Sequence, residues 1–184
     1  MENIDQIPSD MKLTRAVQGF LDELGWEDEI ELKPIEKTSC LDAKLGNEDV
    51  NCTLKIEVSE EKCWISVYLS NEITVTESRY SEACELVNGI NAMLLIGSLC
   101  ATVRRPFLYR QTIDLEGSEG SPTIVKNMVD VGLIVMRDWQ AAMARVIFAK
   151  TTAKQIFAED PLSEADAIDK ALPSVRTPAP STIQ

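Results

Sequence analysis

Histidine does not occur in the 184 residues, so the imidazole that activates most serine and cysteine nucleophiles and completes mixed zinc sites is absent. The five cysteines, at 40, 52, 63, 84 and 100, have no CxxC spacing. An odd set of widely spaced thiols reads as reduced core residues, not as a metal cluster or a disulfide framework. Basic residues are also few, 18 against 30 acidic ones, for a net charge of −12, which repels phosphate backbones and anionic lipid at long range. Neither nucleic acid nor membrane is therefore expected as a partner. No basic-then-apolar leader opens the chain, and no apolar run approaches the roughly 18 residues that span a bilayer. A soluble cytoplasmic protein is expected, in which the sequon Asn51-Cys52-Thr53 has no meaning.

With 45% hydrophobic residues, the chain can bury one sizeable core. The expected organisation is a single domain over 1–160 followed by an acidic tail over 161–184, punctuated by Pro161, Pro173, Pro178 and Pro180. Only "SEADAIDKAL" in that tail has the pattern of a short helix.

Ser9 or Asp10 is placed to cap a first helix over about 10–24, with Leu13, Val17, Phe20, Leu21 and Leu24 at helical spacing. Gly25 followed by Trp26 supplies a left-handed stop with an apolar contact behind it. Ile30 and Leu32 alternate with Glu31 and Lys33 up to Pro34, an edge-strand signal, and a loop with Gly46 and Asn47 follows. Val50 to Val58 and Cys63 to Leu69 alternate without a break. A hairpin across "SEEK" sets Val58 opposite Cys63, Ile56 opposite Ile65, Leu54 opposite Val67 and Cys52 opposite Leu69. Trp64 and Tyr68 fall on the other face, beside Glu57 and Thr53.

A second helix starts at Ser78 or Ser81 and ends near Gly97. Leu99–Val103 and Phe107–Leu115 read as a second hairpin, and "EGSEGSP" breaks the chain before a long helix from Pro122 to about Phe157. That loop has neither the Lys-Ser/Thr ending of a phosphate loop nor the spacing of a dinucleotide fingerprint. The order helix, three strands, helix, two strands, long helix is an α+β pattern with helices packed on an antiparallel sheet.

This order, with "LVNGINAMLLIGSLCATV" and "FLYRQTIDLEG", resembles the YbjN family of bacterial proteins over roughly residues 10–150. The LVNxIN core, with Asn88 and Asn91, is the most specific part of the likeness. The familiar family form carries more charge after the second Asn, where this chain has the apolar run Ala92–Ile96. The resemblance implies the fold of type III secretion chaperones and a role in sensory-transduction regulation.

On a helical wheel Asn91 shares the arc of Tyr80, Cys84, Val87, Leu94 and Leu95, and Asn88 lies at its border. Both are read as structural polar groups, with Asn91 bonded to the backbone of an adjoining strand or loop. On the long helix Ile124, Met128, Val131, Val135, Trp139, Ala142 and Val146 form one apolar row, beside a second of Val125, Val129, Met136, Met143 and Ile147. An arc this wide means either a deeply sandwiched helix or contact with another chain, a homodimer included. Met136, Trp139 and Met143 are on that account candidate partner contacts. Trp64 and Tyr68 are either covered by a loop or the tail or form an apolar docking surface.

The acidic residues at 27–31, 60–61 and 116–119 fall in turns or loops, where a solvated run is the ordinary explanation. No catalytic residue, metal site or cofactor is expected. The leading expectation is a non-catalytic module of chaperone-like or regulatory role that binds a protein partner. The rival is a small-ligand sensor or enzyme with a pocket between sheet and long helix, lined by Asn88 or Asn91.

Overall fold

The computed structural model describes residues 7–46 and 51–159; the expectations for residues 161–184 and for Asn47 lie outside them. Helix α1, Lys12–Leu24, ends as its sequence predicts. Gly25 takes φ +67°, Trp26 N–H bonds Leu21 O at 3.0 Å, and the Trp26 ring meets Phe20 edge-on at 5.7 Å.

The start of α1 is not capped by Ser9 or Asp10. Glu60, from a turn far along the chain, accepts from the Leu13 and Thr14 backbone N–H groups at 3.1 and 2.8 Å and from the Thr14 hydroxyl at 2.9 Å. A carboxylate at a helix N-terminus meets both the orphan donors and the positive end of the dipole. Glu60→Ala is expected to cost about 2 kcal/mol, measured as a lower midpoint in denaturant unfolding with an unchanged slope.

Six antiparallel strands follow: β1 Glu31–Lys33, β2 Thr38–Gly46, β3 Asn51–Ser59, β4 Trp64–Thr74, β5 Ser98–Cys100 and β6 Pro106–Asp114. They are ordered β1-β2-β3-β4-β6-β5. Strand β2 is one more than the pattern predicts. Its alternation is real, with Leu41 and Ala43 buried between Cys40, Asp42 and Lys44, yet Cys40–Gly46 contains no β-branched or aromatic residue. Full-length pairing with β3, from Thr38↔Ser59 to Gly46↔Asn51, makes the strand where local preference does not.

The β3–β4 register is also two residues away from expectation: Val58 pairs Ile65, Ile56 pairs Val67 and Leu54 pairs Leu69. The turn is built from Glu60 to Cys63, and Cys63, expected in the strand, sits in it at φ +53° with its N–H on Glu60 O. A shift of two keeps every side chain on its face, so Trp64 and Tyr68 still lie opposite the core face. Their cross-strand neighbours are Ser59 and Asp114, and Lys55 and Arg110, instead of Glu57 and Thr53.

Helix α2, Tyr80–Met93, continues a short 3-10 turn over Glu77–Arg79 and ends before Leu94, which is extended. It stops short of Gly97, and Leu95 and Ile96 stand in solvent, 99% and 53% exposed. Helix α3, Pro122–Ile147, is capped by the Ser121 side chain, which accepts from Ile124 N–H, with proline in the first turn. It does not run on to Phe157. The chain turns over residues 148–152 and forms α4, Ala153–Glu159. Thr152 and Gln155 close a capping box at its start: Gln155 N–H reaches the Thr152 hydroxyl at 3.2 Å and Thr152 N–H reaches Gln155 Oε1 at 2.9 Å.

The core lies between one face of the sheet and α1, α2 and α3, with α3 across β4 and β6, and α4 behind α2. Both apolar rows of α3 are spent there. Met136 and Met143 are fully buried, and Met143 Sδ lies 3.2 Å from Asn71 Nδ2 at the β4 irregularity. The expectation that these two methionines meet a partner is therefore corrected: the arc is wide because the helix is sandwiched.

All five thiols are unpaired. Burial pushes Cys52 up to about 11 and Tyr109 up to about 12. Because the folded state holds both groups protonated, their contribution is complete below pH 9, the ordinary value of the thiol, and is lost as pH rises through about 11 and 12. Unfolding midpoints should fall steadily from pH 9 upward, and Cys52→Ala should flatten the early part of that decline.

Candidate functional site

The residues of the family-like motif separate by task. Leu86, Val87 and Ile90 are buried in the core. Asn91 joins α2 to the sheet edge: its Nδ2 donates to Leu99 O at 3.0 Å and its Oδ1 accepts from Leu99 N–H at 2.8 Å. Strand β5 is the sheet's last strand, and this amide occupies backbone groups that an edge otherwise leaves open. Gly89 leaves the space in which the Phe157 ring of α4 lies. Asn88 is exposed.

Two surfaces remain as sites. The first is the sheet face opposite the helices, on which no helix packs among the described residues. Trp64 and Tyr68 stand on it half-buried. Around them are the Ser66–Thr112 hydroxyl pair at 2.7 Å, the Lys55–Glu57 ion pair at 2.6 Å, and exposed Arg110. A shallow depression of about 400 Å³ is lined by Tyr68, Lys55, Glu57, Thr53 and Leu108. Burial, ahead of the neighbouring charges, raises the Tyr68 phenol above its ordinary value, so it stays a neutral donor at neutral pH. Tryptophan, tyrosine and arginine on one uncovered surface are the residue types that anchor protein interfaces.

The second is a cleft of about 620 Å³ between the end of α1, the far end of β2 and the first half of α3. Phe20, Trp26, Leu45, Val129 and Leu133 give it an apolar wall, and Glu27, Asp28, Lys44 and the Lys126–Asp130 ion pair give it a charged rim. It lies between sheet and long helix, but Asn88 and Asn91 do not line it. Sequence reasoning missed this cleft because its walls come from segments about 20 and 80 residues apart; the only local signal was Trp26, read there solely as a helix stop.

Trp139 is half-buried against Phe157, with ring centroids 5.9 Å apart. The structure thus brings Trp64 and Tyr68 to one face and leaves Trp139, Met136 and Met143 elsewhere. Among the described residues no three His, Cys, Asp or Glu side chains are grouped as a metal site, and no helix is long and apolar enough to cross a membrane.

Residues 15–145 match the model of the YbjN family, described as "Putative bacterial sensory transduction regulator". No curated protein and no solved structure gave a match. Helix α4 lies beyond the matched residues, whereas the Asn88–Asn91 motif, the sheet and all but the last residues of α3 lie within them. With well over half of its length matched, the chain belongs to the YbjN family.

Proposed function

We propose that this YbjN-family chain is a non-catalytic regulatory module of the cytoplasm, chaperone-like in mode, that binds a segment of a protein partner across the uncovered sheet face and works as a homodimer. The observation that supports it is that face itself: a six-stranded sheet on which, among the described residues, helices pack on one side only, with Trp64, Tyr68 and Arg110 on the other. Antiparallel sheets tolerate one wet face, but that face is then ordinarily polar. Two large aromatics there are better explained by a ligand that covers them in part of the cycle.

The cleft at Trp26 supports a second reading, a small-ligand sensor, because its volume and its apolar wall with a charged rim suit a small molecule. Capture from bacterial cytosol, run beside a thermal-shift screen of metabolites, separates the two. The first reading expects a defined protein retained by the parent and lost from a Trp64→Ser/Tyr68→Ser variant of equal melting temperature. A metabolite that raises the melting temperature of the parent but not of Trp26→Ala would replace it with the second.

A further inference from the structure

The turn between α3 and α4 is held by contacts and not by helix-breaking residues. From Leu133 to Glu159 the sequence has neither glycine nor proline, and its apolar spacing reads as one helix to Phe157. Yet the chain reverses over residues 148–152, with Lys150 at φ +55°, a conformation that suits glycine and not lysine. The clamp is specific. Arg79 donates to Val146 O and to Thr151 O, both at 2.8 Å, and Glu82 accepts from Ala153 N–H at 3.0 Å. The Phe157 ring then fills the space over Gly89 beside Trp139.

We propose that α4 is exchanged between two copies of this chain: the groove at Gly89 and Trp139 accepts α4 of a second copy when residues 148–152 straighten and join α3 and α4 into one helix. The occupant follows from complementarity, since α4 is the segment that the groove already fits, and Phe157 on Gly89 and Glu82 on Ala153 N–H form equally well between chains. The straight connector keeps the helix bonds of Phe148 and Ala149, exchanges those of Thr151 N–H to Arg145 O and Thr152 N–H to Gln155 Oε1 for the bonds of an uninterrupted helix, and releases Lys150 from its left-handed conformation. Phe148, 71% exposed in the closed form, then lies where the two connectors pass and has an apolar neighbour. The inference rests on the homodimer of the proposed function and names its contact, but it uses no residue of the Trp64–Tyr68 face, so partner capture and exchange can fail separately.

The full chain, unfolded and refolded at a series of concentrations, tests it by light scattering and by hydrogen exchange at Lys150, since the N–H groups of Phe148, Ala149, Thr151 and Thr152 are already bonded in the closed form. A concentration-dependent dimer with a protected Lys150 N–H is expected. Lys150→Gly, which eases the turn and penalises the straight helix, should weaken the dimer by about a hundredfold. Thr152→Ala, which removes the cap and favours the straight helix, should tighten it by about tenfold. A chain that stays monomeric even as Thr152→Ala, or a dimer whose Lys150 N–H exchanges freely and which ignores both substitutions, overturns the proposal.

Discussion

Gly132→Ala is expected to lower stability by about 2–3 kcal/mol, although alanine is the better helix former by about 1 kcal/mol. A Cβ at this point of α3 would lie 2.5 Å from Leu69 Cδ1 and 2.7 Å from Tyr109 Cδ1. Both side chains are fully buried, so neither has room to withdraw. Tyr109 is held from the other end by Gly97, at φ +72°, where an added Cβ would meet the phenol oxygen. That hydroxyl donates to Gln111 Oε1 at 2.7 Å. The ring is thus fitted between α3 and the turn into β5, and each glycine matters for a different part of it.

The two positions should respond differently to removal of the hydroxyl. Tyr109→Phe alone should cost about 1 kcal/mol for the lost hydrogen bond. In a double-mutant cycle it should relieve Gly97→Ala only in part, because the ring carbons Cζ and Cε2 remain in the way and φ +72° strains any side chain there, and leave Gly132→Ala unrelieved, where ring carbons and Leu69 are nearest. Thermal or denaturant unfolding checks both. A Gly132→Ala chain as stable as the parent would show that α3 stands further from the sheet than described.

Asn91→Leu is expected to cost a similar 2–3 kcal/mol, because it leaves the N–H and C=O of Leu99 without their partners at a residue only 2% exposed. Leucine returns part of that through apolar contact. The local signature is faster hydrogen exchange at Leu99, since β5 has three residues and is paired only to β6 on its other side. A variant of unchanged stability that no longer binds a partner would make Asn91 a contact residue and not a structural one.

Much of the fold could be read from the sequence wherever neighbouring residues carry the signal. The αL stop at Gly25 with Trp26, the start of α3 at Pro122 and the alternation of β3 and β4 all agree with the structure. What could not be read depends on distant residues. Glu60 caps a helix some 46 residues away, β2 is made by its pairing with β3, and the break after Ile147 is clamped by Arg79 and Glu82. The break did have one local signal, the Thr152–Gln155 capping box, inside a run whose apolar period continued unbroken.

The site divides in the same way. The period of two placed Trp64 and Tyr68 on the face away from the core in the expected register and in the observed one, two residues apart, so the candidate surface was legible from two residues. Its partner Arg110 comes from β6 through pairing, and the Trp26 cleft needed the packing of three elements. For α3, the width of the apolar arc was read correctly but its cause was left open between sandwiching and a second chain, and burial of Met136 and Met143 assigns it to the monomer core.

Binding of a protein segment to the sheet face that carries Trp64 and Tyr68 is tested by site-specific photo-crosslinking in living bacteria. A photoreactive side chain is placed at Tyr68 in one strain and at Ile134, an exposed apolar residue on the helix side of the molecule, in another. A discrete crosslinked protein species is expected from position 68, absent from position 134 and lost when Arg110 is changed to Glu. Equal crosslinking from both positions, or none from position 68 under any growth condition in which the protein is present, would contradict it.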